Sequence, residues 1–320
     1  MLRRWGFRGL KWAPRANKWG AIVALGRVRI SFLILFGLVY TCLLVYPSLT
    51  DQSPEHQQPY SPEEIDLDSL DPGQISGPAR QPYYAEYEAP GWEHLLGTDG
   101  RGRDVLLRLA TGARTSLSTG LVCLVSFLVV GVTWGILLGF FANIWSRIAS
   151  YPYILISAFP MLILLLLGVI IIDDLVQDQE GRLYALMVCF GVFSSSKLAE
   201  LVRGRIISLK KTSFVQAAEA LGLSRRQILL KHLVWYECRS LIAAQGAYIL
   251  GQAIVVEVTL TYLKFGVEYP GISWGLMFRE MAGVVEWPVF TVMGITAMAI
   301  FFFHHLAGSL SDYWAHEGER

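Results

Sequence analysis

The feature that most narrows what this chain can fold into is a succession of apolar runs separated by loops whose charge alternates in sign. The runs are Ile30–Tyr46, Thr119–Ala142, Tyr151–Ile172, Leu183–Val202, Ser240–Tyr262 and Pro288–Leu306. Each approaches the roughly 20 apolar residues that carry a helix across a bilayer. Hydrocarbon offers no water to backbone N–H and C=O groups, so a spanning run must satisfy them within itself, and the runs therefore predict helices. Composition agrees: 53% of the 320 residues are hydrophobic and 17% charged, and the mean hydropathy is +0.43. That is a membrane protein's balance. The net charge of +1 argues for no particular class of partner; only its distribution informs.

The distribution sets a topology. Residues 1–29 carry Arg3, Arg4, Arg8, Lys11, Arg15, Lys18, Arg27 and Arg29, no acid, and Trp5, Trp12 and Trp19. They read as a cytoplasmic tail against anionic lipid, with indoles at the interface. No small-residue cleavage site follows the apolar run at 30–46, so that run reads as a first transmembrane helix and not a signal peptide. Residues 47–113 form an extracytoplasmic unit, of which 47–93 is rich in Pro, Gly, Gln, Tyr and acids and can bury little core. A five-helix core at 114–308 and a cytoplasmic tail at 309–320 complete the division. The basic loop 203–239, with Arg203, Arg205, Lys210, Lys211, Arg225, Arg226, Lys231 and Arg239, belongs inside, and the acidic stretch Asp173–Glu180 outside. The expected fold is an all-α membrane protein with six transmembrane helices and both termini in the cytoplasm.

Within the spans, Gly131, Gly135 and Gly139 recur every four residues and predict a stripe for close helix packing. Pro152 and Pro160 predict a kink or interruption. Glu257 in an apolar run must face protein or water; a place on a solute pathway and a place near the outer boundary both satisfy that. The stretch from Lys264 to Glu280, with Gly266, Pro270, Gly271, Trp274 and Gly275, reads as a packed outer loop. His304 and His305 are adjacent, so they point in different directions on a helix, and an interfacial position suits them better than a metal pair. Cys42, Cys123, Cys189 and Cys238 lack metal-site spacing and read as packing residues.

Two segments lie between spans and carry more pattern than a connector needs. From His94 to Leu117 a turn-rich start, GTDGRGRD, leads into a helix with Val105, Leu106, Leu109 and Ala113 on one face and arginines beside it. Asp99 or Asp104 is placed to cap that helix. A surface-lying connector is the plain expectation, and contact with a delivering partner or substrate the sharper one. From Ser213 to Trp235 two short amphipathic helices meet at Gly222, each opened by a capping box, Ser213 with Gln216 and Ser224 with Gln227. Phe214, Ala217, Ala218 and Leu221 share a face, and the alanine pair leaves the backbone approachable. The pattern also suits a DNA-reading helix-turn-helix. That reading needs a third helix and a soluble core, and only about forty residues separate the flanking spans, so nucleic acid is not an expected partner.

No phosphate-cradling Walker loop, nucleophile elbow, HExxH helix or cysteine metal pair is present. No catalytic or metal-ligating residue is assigned, and if the chain moves something uphill the energy must come from another protein.

Those two segments carry a resemblance. QAAEALGLSRRQILLKH, Gln216–His232, resembles the EAA loop of ABC-importer permeases. HLLGTDGRGRDVLLRL, His94–Leu109, resembles a segment of the C-type permease subunit of dipeptide and oligopeptide importers, and SWG at Ser273–Gly275 extends the likeness. The resemblance implies a type I ABC-importer permease fold with cytoplasmic coupling helices, a prokaryotic inner-membrane location, and a subunit forming half of a translocation pathway. It implies that Gln216, Ala217, Ala218, Glu219, Leu221 and Gly222 contact an ATPase, and that Gly97, Thr98, Asp99, Gly102, Arg103 and Asp104 form the outer family motif. It implies as partners a B-type permease subunit, two cytoplasmic ATPases that hold ATP and magnesium, an extracytoplasmic substrate-binding protein and membrane lipid, with no cofactor on this chain. Two positions depart from the family pattern: Gln216 stands where a glutamate usually begins the motif, and Trp235 where a proline usually follows the histidine. Di- or oligopeptides are the expected cargo; a nickel chelate or another small solute is the alternative. A non-transporting membrane scaffold with a cytoplasmic partner is the rival from another class.

Overall fold

The computed structural model of the chain describes residues 87–92, 94–141, 158–210, 212–224, 227–228, 237–269, 271–283 and 286–317, with single positions at 151 and 155. The basic tail, the first expected span and residues 47–86 lie outside the described residues, as do Pro152, Arg225, Arg226, Lys231 and Trp235. Every named element among the described residues is a helix: α1 (Val105–Phe140), α2 (Met161–Leu175), α3 (Gln179–Leu209), α4 (Ser213–Ala220), α5 (Arg239–Tyr262), α6 (Trp274–Glu280) and α7 (Trp287–Glu317). Of these α1, α3, α5 and α7 are long and apolar enough to cross a membrane.

Three helices differ from expectation. The connector after GTDGRGRD and the second span are one helix of 36 residues, α1. The connector does not lie on a surface: Val105, Leu107, Arg108 and Leu109 are all buried, because the arginine expected to face solvent is ion-paired inside the fold. The stretch expected to be an irregular outer loop contains α6, with Ser273 Oγ accepting the Leu276 N–H at 3.1 Å as its N-cap. The last helix runs past the expected span to Glu317, through most of the segment expected to be a tail. Pro160 does interrupt its run. It sits immediately before α2, and its carbonyl accepts the Ile163 N–H at 3.0 Å.

The glycine stripe fixes the central packing. Leu198, Val202 and Ile206 of α3 seat against Gly131, Gly135 and Gly139 of α1; a Cβ added at those glycines would stand 2.9, 2.7 and 2.9 Å from the three side chains in turn. Side chains one turn apart thus enter a groove that any larger residue would close. Around this seam one apolar cluster gathers Cys123, Phe127, Leu165, Leu186, Met187, Phe190 and Ile249. A second joins α1, α5, α6 and α7 through Leu109, Ile254, Trp274, Met277, Phe302 and Phe303. The outward faces of α1 (Leu121, Val125, Val129) and α2 (Ile163, Leu167, Ile170, Ile171) are exposed and aliphatic, as a lipid-facing surface should be.

Candidate functional site

GTDGRGRD folds into a clasp on the first turn of α1. Gly97 and Gly102 take φ of +63° and +69°, which glycine adopts without strain, and no Cβ fits at Gly97 between the Glu88 carbonyl and the Trp287 ring. The Thr98 hydroxyl accepts the Glu88 N–H at 2.8 Å. Asp104 Oδ1 accepts the Leu107 N–H at 2.8 Å as the N-cap of α1, and its Oδ2 lies 2.9 Å from His94 Nδ1. Asp99 Oδ1 accepts the N–H groups of Arg101 and Arg103 at 2.9 and 3.0 Å, which leaves Oδ2 to charge.

That oxygen takes the Arg103 Nε at 2.8 Å and an Arg108 guanidinium nitrogen at 2.6 Å. The same two arginines turn their remaining nitrogens to Glu280 Oε2, at 2.7 and 2.5 Å. Two guanidiniums thus bridge two carboxylates and tie the clasp to the last residue of α6. Burial would raise the Glu280 carboxyl, but the charges of Arg108 and Arg103 and their hydrogen bonds outweigh it and hold it below its ordinary value of 4.5.

A second polar node lies one layer deeper. Glu257, fully buried five residues before the end of α5, accepts from the Ser116 hydroxyl at 2.9 Å and the Thr261 hydroxyl at 3.0 Å. Ser273 and the Gly275 N–H also reach it. Ser116 accepts the Trp274 N–H at 3.2 Å, and the Trp274 indole N–H donates to the Leu109 carbonyl at 3.0 Å. At Gly275 a Cβ would stand 2.9 Å from Glu257 Oε1, so only glycine lets α6 approach α5 here. Glu257 therefore faces protein.

At the opposite end α3 turns into α4. Lys210 caps the junction: its Nζ donates to the Gly139 and Phe140 carbonyls at 3.0 and 2.6 Å and stands 4.9 Å from the Phe140 ring centre. The first turn of α4 closes on backbone, with the Gln216 N–H donating to the Thr212 carbonyl at 3.4 Å. Gly222 at φ +81° ends the helix, and the Leu223 N–H reaches back to the Ala218 carbonyl at 3.2 Å, a Schellman closure. The Ser224–Gln227 box forms, the Gln227 N–H donating to Ser224 Oγ at 3.3 Å and the Ser224 N–H to Gln227 Oε1 at 3.2 Å.

The two alanines part company. Ala218 is 4% exposed and packs with Val215 and Ile228 in the first core cluster. Gln216, Ala217, Ala220 and Gly222 are exposed, and Leu221 is 83% exposed. The single small face expected from spacing is in fact divided between core and solvent.

Residues 131–312, more than half of the 320-residue chain, match the family described as binding-protein-dependent transport system inner membrane component. The chain belongs to this family. The permease is 28% identical to an oligopeptide transport system permease protein of Haemophilus influenzae, over 68% of this chain and 69% of that one. It is 28% identical to its namesake in Bacillus subtilis, over 70% and 72% of the two chains. It is 27% identical to a dipeptide transport system permease protein of Alkalihalophilus pseudofirmus, over 64% and 65%. It is thus an inner-membrane, multi-pass permease subunit of an ABC importer.

In this permease the fold brings together all six residues of the outer motif, and it gathers the α4 residues into one short helix and turn, although the Glu219 side chain lies outside those described. Glu257 stands apart from both. Glu280 escaped the sequence reading, because Arg108, beside the apolar face of its helix, reads as solvated until its burial shows that an acid must meet it from elsewhere in the chain. Lys210 escaped as well, since a basic residue at a loop edge is ordinarily read as charge asymmetry alone.

Proposed function

We propose that this permease subunit forms half of the translocation pathway of an importer for di- or oligopeptides, and that α4 is where it takes power from a separate ATPase. The partners on this reading are a B-type permease subunit, two cytoplasmic ATPases carrying ATP and magnesium, and an extracytoplasmic binding protein. The chain itself needs no cofactor and catalyses nothing. Lys210, Arg203, Arg205 and Arg239 cluster at the α4 end, which supports a cytoplasmic position for that end, and with it for both termini, under the positive-inside rule. The clasp then faces outward, where cargo arrives. The names of the peptide-transporting relatives support the cargo.

The observation that carries the coupling role is the exposed small and apolar surface of Ala217, Ala220, Leu221 and Gly222, joined through Lys210 to the ends of both α1 and α3. Leu221 among small exposed neighbours at a helix end makes a compact tip of a shape that suits insertion into a partner's apolar cleft. Leu221→Asp should leave the level of assembled complex in membranes unchanged and cut ATP-dependent peptide uptake by about tenfold or more, the equivalent of about 1.4 kcal/mol of lost docking. Ala217→Glu should do the same. Ala218→Glu should lower the amount of folded protein instead, because that position is core. Full uptake by Leu221→Asp and Ala217→Glu would overturn the coupling assignment.

A further inference from the structure

The chain's outward surfaces at membrane depth are of two kinds. Those of α1 and α2 are aliphatic but for Thr133. The outward face of α5 is not: Tyr248 and Tyr262 are exposed and Gln252 and Thr259 half-buried along it, with Val255 between them. Facing Tyr248 from α3 is Lys197, exposed, its Nζ 5.6 Å from the ring centre. Tyr248 in turn meets the His304 ring edge to face at 4.9 Å between centroids. His304 Nδ1 lies 2.8 Å from the Ile300 carbonyl and must donate to it, which leaves Nε2, 3.1 Å from the Gln252 amide nitrogen, to accept. A glycine at 251 makes room for the imidazole; a Cβ there would stand 2.8 Å from it. His304 thus packs against α5 from α7, about midway along α5.

Lys197 lies inside the apolar run Leu183–Val202 of α3, on the turn before its basic end, and no acid among the described residues is ion-paired with it. A lysine inside such a run with an aromatic ring as its partner looks onto water or onto a group of opposite charge. We propose that Lys197, Tyr248, Gln252 and His304 form a station on the pathway wall that receives the carboxylate of a passing solute, Lys197 meeting the charge and the ring and amide framing it. This rests on the permease reading but not on the coupling role of α4. The cluster offers charge and hydrogen-bonding capacity to such a group, and a site that must also release its occupant requires only modest affinity.

The test is thiol labelling of Tyr248→Cys in the full complex in native membranes, against the unsubstituted parent, with two membrane-impermeant reagents of opposite charge, sulfonatoethyl and trimethylammonioethyl methanethiosulfonate. Val255→Cys, on the same face and a modest change of size, guards against a folding failure at the tyrosine. We expect both variants to label above the parent, with the anionic reagent favoured about fivefold or more in Tyr248→Cys, and that preference to vanish when Lys197→Met is added and invert when Lys197→Glu is added. No labelling at either position would mean a face covered by lipid or protein and would overturn the proposal. Labelling with a charge preference indifferent to Lys197 would overturn the carboxylate assignment. Loss of the ATPase partners on purification would count against the permease reading, and the labelling result would stand separately from it.

Discussion

At the scale of single residues, the clasp shows how a charge inside an apolar helix dictates what must surround it. Arg108 is 1% exposed, and its two terminal nitrogens meet Asp99 and Glu280, from segments 9 and 172 residues away. Removing one member strands the others. Glu280→Leu should therefore destabilise the folded complex by about 3–5 kcal/mol, the usual cost of leaving a buried charge uncompensated, read as a fall in the thermal unfolding midpoint in detergent. The pH dependence has a definite sign. The Glu280 carboxyl is held below its ordinary 4.5 when folded, so its contribution is fully present above about pH 4.5 and is lost as pH falls through the lower, folded value. Unfolding midpoints should drop below pH 4.5, and Glu280→Gln should show a smaller drop across that window than the parent. An unchanged pH profile in the variant would remove Glu280 as a source of the acid sensitivity. The turn and the capping acid Asp104 were legible in sequence because glycines and an aspartate before an apolar run announce a helix start, while the six motif residues came as a set only through the family resemblance. Glu280 was not legible, since an ion pair across 172 residues leaves no local trace.

At the scale of elements, the glycine stripe was readable from its four-residue period alone, and the structure supplies the occupants of its grooves. The stripe also yields a discriminating prediction. A Cβ at Gly135 would stand 2.7 Å from the Val202 Cβ and 2.8 Å from the Ala199 carbonyl, whereas at Gly204, on α3, it would meet nothing within 4 Å. Gly135→Val should force α1 from α3 and cost about 1–3 kcal/mol through overpacking. Gly204→Ala should be neutral or stabilising by up to about 1 kcal/mol, because it only adds helix propensity. Thermal unfolding of the two variants side by side decides the matter, and equal stability would mean the seam is looser than drawn. What sequence periodicity missed here was continuity. The charged first turns of α1 looked like a connector because Arg108 and Arg114 suggest a solvated face. The short α6 was hidden in a stretch whose glycines and prolines signal turns, although Gly275 is there to admit α6 against Glu257 and not to bend the chain.

At the scale of the whole molecule, α3 is one helix of 31 residues, roughly 46 Å long, leading directly from the acidic turn at Asp178 to α4. The coupling reading therefore requires a push on α4 to reach α1 without being absorbed at the α3–α4 junction. Lys210 is the residue placed to prevent that. It fastens the last carbonyls of α1, at Gly139 and Phe140, to the first residue past α3, and a cation at a helix C-terminus is favoured there by the helix dipole as well. Lys210→Met keeps the aliphatic stem against Phe140 but surrenders both charged hydrogen bonds. The chain should still fold, since the glycine seam is untouched, at a cost of about 1–2 kcal/mol for the half-buried bonds. Its larger effect should fall on transmission: in proteoliposomes the variant should hydrolyse ATP at near the parent rate while moving about threefold less solute per ATP than the parent. Lys210→Arg, which retains charge and donors, should restore most of the ratio. If Lys210→Met lowered hydrolysis and uptake in proportion, the junction would be serving stability alone, and the mechanical link between α4 and α1 would have to run through the seam of Leu198, Val202 and Ile206 instead.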